Sequence, residues 1–93
     1  MSPYKAFFQP VLASYAKAFR KAHGYTQEDM AERLMIDVRS YSDLDHGIYC
    51  FSAVTLILLL LLLTEAELQQ LLVQLGTAKR EADRAYERHL LGV

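Results

Sequence analysis

The stretch that decides the fold is Thr26–Gly47, TQEDMAERLMIDVRSYSDLDHG. Met30, Ala31 and Leu34 recur at helical spacing, and Thr26 stands as an N-cap with Asp29 three residues on, placed to close a capping box. A short Met35-Ile36 link follows. Asp37 is a second N-cap, ahead of a helix with Val38, Tyr41 and Leu44 on one face, and Gly47 supplies its C-terminal stop. Two helices joined by about three or four residues form the supersecondary unit that sets its second helix into a DNA major groove.

Working outward toward the N-terminus, Leu12, Tyr15, Ala16 and Phe19 recur at three and four residues, with Lys17, Arg20 and Lys21 off or beside that stripe. Gly24 ends this helix. Ahead of it, Ser2-Pro3 reads as an N-cap followed by proline at the first helical position, predicting a short helix over 3–9 that carries Tyr4, Phe7 and Phe8. Pro10 then either kinks that helix or opens the next.

On the other side, Ile48-Tyr49-Cys50-Phe51 is a link without charge, and Ser52 caps the run Ala53–Leu63, AVTLILLLLLL. A helix with no polar face must be covered on most sides, by its own domain and by a partner chain. As a membrane span the run fails: at 1.5 Å per residue it reaches roughly 17 Å, against a hydrocarbon core of ~30 Å. Thr64-Glu65-Ala66-Glu67 is a capping box that starts another helix, with Leu68, Leu71, Leu72 and Leu75 as its stripe. At Gly76-Thr77 that helix either ends, with Thr77 capping a further one, or continues at a cost of ~1 kcal/mol relative to alanine. Beyond it Ala78, Ala82, Ala85, Tyr86 and His89 or Leu90 form a narrow stripe of mostly small residues on a charged helix, suited to close packing against another helix.

The chain of 93 residues holds one small domain with an appended helix. Its 53% hydrophobic content exceeds what so small a monomer easily hides and leans toward self-association. The expected class is all-α: an N-terminal extension over 1–9, a domain of about five helices over 10–72, and a dimerising helical extension over 73–93. The expected homodimer contacts are Leu59, Leu60, Leu63, Leu71, Leu75 and Ala82. The N-terminus lacks the pattern of a signal peptide, and the lone Cys50, read as a small partly buried hydrophobe, fits a reducing, cytoplasmic setting. The histidines His23, His46 and His89 are dispersed, with neither paired cysteines nor a glycine-rich phosphate loop, so no enzyme, metal or cofactor is expected.

From Leu12 to about Leu72 the chain resembles the lambda-repressor-like, Cro/C1-type helix-turn-helix family. The resemblance is carried by Phe19-Arg20-Lys21, by Gly24-Tyr25-Thr26-Gln27-Glu28-Asp29-Met30-Ala31, by Tyr41-Ser42-Asp43-Leu44-Asp45-His46-Gly47, and by Ser52 with the Leu-rich helix. It implies that Gln27 contacts a DNA phosphate and braces the recognition helix. It also implies that Val38, Arg39, Ser40 and Asp43 face the groove, with Arg39 as the base-reading guanidinium and Ser40 and Ser42 as hydrogen-bonding partners of phosphate or base. Arg20 and Asp45 match a family ion pair, with Asp in place of the usual Glu. Met35 stands where the turn commonly holds glycine.

Charge divides the functional readings. Over Thr26–Gly47 the acids Glu28, Asp29, Glu32, Asp37, Asp43 and Asp45 face only Arg33 and Arg39, a net −4 on the element that must approach a polyanion. Residues 1–25 carry Lys5, Lys17, Arg20 and Lys21 and no acid. Phosphate neutralisation supplies most non-specific affinity for DNA. One expectation is therefore a homodimeric regulator that reads double-stranded DNA with few phosphate contacts. The other is a protein-interaction module, adaptor or antagonist, on the same fold.

Overall fold

A computed structural model describes residues 3–90 as five helices: α1 (Pro3–Ala22), α2 (Gln27–Arg33), α3 (Val38–Asp45), α4 (Ala53–Leu62) and α5 (Glu65–Leu90). The N-cap assigned to Ser2 lies outside the described residues, as do the side chains of His89 and Leu90 in the C-terminal stripe.

Each inner helix starts where a short polar side chain can accept an otherwise orphaned backbone N–H. Thr26 accepts from the Asp29 amide while the Asp29 carboxylate accepts from the Thr26 amide, the reciprocal box expected there. Asp37 accepts from the Ser40 amide, and Ser52 from that of Thr55. Thr64 and Glu67 form the second box at the head of α5. Such a cap contributes about 1 kcal/mol. Gly24 and Gly47 close α1 and α3 at φ 70° and 72°, a left-handed turn that a Cβ would strain.

At both points where the sequence leaves a helix break open, the helix continues. α1 runs unbroken through Pro10, which is exposed and whose ring nitrogen has no hydrogen to donate to the helix. α5 runs unbroken through Gly76, where the backbone has ordinary helical room. Of the stretches expected as terminal extensions, residues 3–9 are the start of α1 and residues 73–90 the end of α5, and the two helices pack on each other. Tyr4 donates its hydroxyl to Asp83, and Tyr15 donates to the Glu67 carbonyl at 2.7 Å, so the two helices run antiparallel. Ala78 and Ala82 are 4% and 0% exposed at this seam.

The core gathers Leu12, Tyr15, Ala16 and Phe19 of α1, Met30, Ala31 and Leu34 at α2, Tyr41 and Leu44 of α3, Phe51, Leu59 and Leu71. Three of the residues expected at a dimer contact, Leu59, Leu71 and Ala82, are fully enclosed within the single chain. Leu60, Leu63 and Leu75 are half-buried against the same core. Leu72, expected on the inner stripe of α5, is exposed instead, and so is Cys50.

Candidate nucleic-acid interface

The two helices of the central motif are fixed to α1 through one carboxylate. Asp45, at the end of α3, is 3% exposed and sits among four donors. Arg20 approaches in fork geometry, Nε to Oδ1 and Nη2 to Oδ2, both at 3.3 Å. The Tyr41 hydroxyl donates to Oδ1 at 3.0 Å and the Gln27 amide to Oδ2 at 3.4 Å, with the Lys17 ammonium 3.9 Å away. The Arg20 bonds are longer than the ~2.7–2.9 Å of a close charge-assisted pair. A side chain one methylene shorter than glutamate accounts for that reach.

Burial pushes the Asp45 carboxyl up, but the Arg20 guanidinium, the Tyr41 hydroxyl and the Gln27 amide outweigh it and hold the group below its usual range. The same cluster raises Arg20, chiefly through its hydrogen bond to Asp45, and raises Tyr41 through burial and the neighbouring carboxylate. Asp45 is therefore a buried, neutralised anchor, and it drops out of the charge presented to solvent.

The turn between α2 and α3 is held by backbone bonds, Met35 N–H to the Glu32 carbonyl at 3.2 Å and Ile36 N–H to that of Ala31 at 3.0 Å. Met35 itself adopts φ 59°, the left-handed conformation for which glycine is suited, while its side chain is 82% exposed. Forcing a residue with a Cβ there costs about 1–2 kcal/mol. Met35→Gly is accordingly expected to raise the urea midpoint by the equivalent of about 0.5–1 kcal/mol, the entropy of glycine offsetting part of the gain. A loss on substitution would show that the exposed thioether contributes packing.

Of the residues expected to face DNA, Val38, Arg39 and Ser40 form the exposed first turn of α3. Val38 is 44% exposed. Ser40 is drawn back toward the cap, its hydroxyl donating to Asp37 Oδ1. Ser42 and Asp43 are half-buried, and the Ser42 hydroxyl lies 3.3 Å from His46 Nδ1. Gln27 turns its amide inward onto Asp45, which couples the start of α2 to the end of α3. The other base of the motif, Arg33, is folded over the Tyr25 ring at 3.9 Å and donates to the Asp29 carbonyl at 3.1 Å. Arg39 is thus the cation that α3 itself presents.

Tyr41 and Lys17 belong to the Asp45 cluster, whereas the sequence places Tyr41 on the apolar face of α3 and Lys17 off or beside the apolar stripe of α1. The i, i+4 spacing of Tyr41 and Asp45 on α3 was the available signal. Around the reading turn, Arg39 stands among the open acids Glu28, Glu32 and Asp37, with Ile48 59% and Tyr49 63% exposed in the following loop.

This fold, with an anchored second helix presenting its first turn, is that of a helix-turn-helix protein. A family model for helix-turn-helix domains of the Cro/C1 type matches residues 17–66, more than half of the chain, and the chain belongs to that family. The family is a DNA-binding one and is typically non-enzymatic. Comparisons with curated proteins and with solved structures give no significant match. Most of α1, residues 3–16, and nearly all of α5 lie beyond the matched residues. Among the described residues, no helix is long and apolar enough to cross a membrane.

Proposed function

We propose that the chain is a transcriptional regulator that binds double-stranded DNA as a homodimer in the cytoplasm, with α3 in the major groove of each half-site. The observation that carries this reading is Arg39, exposed on the first turn of a helix clamped to α1 and α2 by the Asp45 cluster. A guanidinium in that position can bond a guanine edge in bidentate fashion, and the clamp ties the helix that carries it to α1 and α2. Val38, Ser40, Ser42 and Asp43 would line the groove beside it, and Gln27 would bridge from Asp45 to the flanking phosphate. Removing Asp45 from the solvent-facing count leaves five acids against two bases on the motif, so the binding depends on few phosphate contacts.

Amide chemical-shift mapping of the full chain with a duplex tests this. Perturbations are expected at Gln27 and across 38–43, and they should collapse in Arg39→Ala, since a lost bidentate contact costs about 1–3 kcal/mol. Perturbations absent from 38–43, or unchanged in Arg39→Ala, overturn the assignment.

One observation favours a second reading, a protein-interaction module on the same fold. Met35, Val38, Ile48 and Tyr49 leave apolar surface open around the reading turn, amid acidic rather than basic side chains. Such a surface suits a protein segment with apolar and basic residues better than it suits a phosphate backbone. In that case the duplex produces no perturbation at 38–43.

A further inference from the structure

α4 is apolar on every side, and most of it packs on the core, but one line along it stays open. Thr55 and Leu59 point into the protomer, at 8% and 0% exposure. On the opposite side Val54, Ile57 and Leu61 are 69%, 54% and 77% exposed, and their three- and four-residue spacing places them in one line along the helix. The half-buried Leu58 and Leu60 flank that line.

From these observations we infer that the exposed α4 face is the seat of a second copy of this chain, in an isologous two-fold pairing of α4 with α4. The inference rests on the homodimer reading above and moves its interface from the enclosed leucines to Val54, Ile57 and Leu61.

Three features select a second copy as the occupant. The segment 51–63 contains no ionisable side chain, so nothing on the face discriminates by charge, and a purely apolar line is complementary to itself under a two-fold axis. The three exposed side chains leave on the order of 300 Å² of apolar surface per protomer, already the scale of the largest patch on an ordinary monomer. Doubled across an axis and extended over Leu58 and Leu60, that area approaches the ~1,000 Å² at which specific interfaces begin. Finally, the small-residue stripe of α5, the other helix suited to a partner, is occupied by α1 of the same protomer through Ala78, Ala82 and the Tyr4–Asp83 bond. Among the described residues of α5, the open Leu72 and Val73 are interleaved with Gln69, Gln70 and Gln74, and the open Tyr86 lies more than three turns away, so they form no comparable line.

Sedimentation equilibrium of the full chain at micromolar concentration tests the inference. The unaltered chain is expected at twice its 10.6 kDa mass. The pair Ile57→Lys, Leu61→Lys is expected at the single-chain mass, with helicity preserved because both side chains are more than half exposed. Leu61→Gln alone should weaken association at least about tenfold without introducing charge, which keeps the test valid if the double variant folds poorly. Val73→Lys on α5 should remain a dimer. A monomeric unaltered chain, or a dimer that survives both Ile57→Lys, Leu61→Lys and Leu61→Gln, overturns the inference. The DNA reading is judged separately: a monomeric variant that still shifts at 38–43 on duplex addition leaves that reading standing whatever the interface.

Discussion

Asp45→Ala is expected to lower the unfolding free energy by about 3–5 kcal/mol, the cost of leaving a buried charge without its partner. Arg20 is largely enclosed, with 15% of its side chain exposed, and has the Tyr25 carbonyl as its other acceptor. Removing the carboxylate therefore strands a guanidinium, a Tyr41 hydroxyl and a Gln27 amide at once. Small domains are stable by roughly 5–15 kcal/mol, so the substitution consumes a large part of the total. Asp45→Asn keeps an acceptor for Tyr41 and should fall between the two, which separates loss of charge from loss of shape. Denaturant midpoints by circular dichroism measure both. A change under about 1 kcal/mol for Asp45→Ala would show that the cluster does not anchor α3.

The pH dependence has a definite sign. Asp45 is held below its usual range in the folded protein, whereas the unfolded chain titrates near ~3.9. Between those two values the unfolded state binds more protons, so stability rises with pH there. The contribution is complete above the unfolded value and is lost as pH falls through the folded one. Asp29, held low by its bonds to Thr26, and Glu67, held low by His23 and by Thr64, act in the same direction. In Asp45→Asn the acid loss should be shallower.

The second large effect is expected at Leu59. Leu59→Ala opens a cavity in a site with no exposure and should cost the protomer about 2–5 kcal/mol at any protein concentration. Leu61→Ala, two residues along the same helix, should leave the protomer within about 0.5 kcal/mol and act instead on association, so that its effect on the melting temperature depends on concentration. Thermal unfolding at two well-separated concentrations distinguishes them. Identical, concentration-dependent behaviour of the two variants would return Leu59 to the interface.

That contrast also marks where the sequence stops being informative. The helix starts at Gln27, Val38, Ala53 and Glu65 were legible because Thr26, Asp37, Ser52 and Thr64 each leave a local chemical signature, a side-chain acceptor followed by helical periodicity. The Arg20–Asp45 pair was legible through the family resemblance. The phase of α4 was not. A helix whose every residue is apolar or small has no polar side, and without one the wheel cannot say that Leu59 points in and Leu61 out. The alanine stripe of α5 announced close packing on some helix, but a stripe cannot specify whether that helix belongs to the same chain. Here it is α1, made available because α1 continues through Pro10. At the reading turn, residue types gave the exposure of Arg39. They could not show that Arg33 lies over Tyr25 or that Asp45 is withdrawn from the surface, two facts that set the charge DNA would meet.

Fluorescence anisotropy of a labelled random duplex titrated with the full chain at about 50 mM salt tests whether this acid-rich motif reads DNA. The predicted result is saturable binding with a dissociation constant on the order of 10⁻⁶–10⁻⁴ M, a shallow salt dependence reflecting few phosphate contacts, and clear weakening in Arg39→Ala. No change in anisotropy across that range, for the unaltered chain and Arg39→Ala alike, would contradict it.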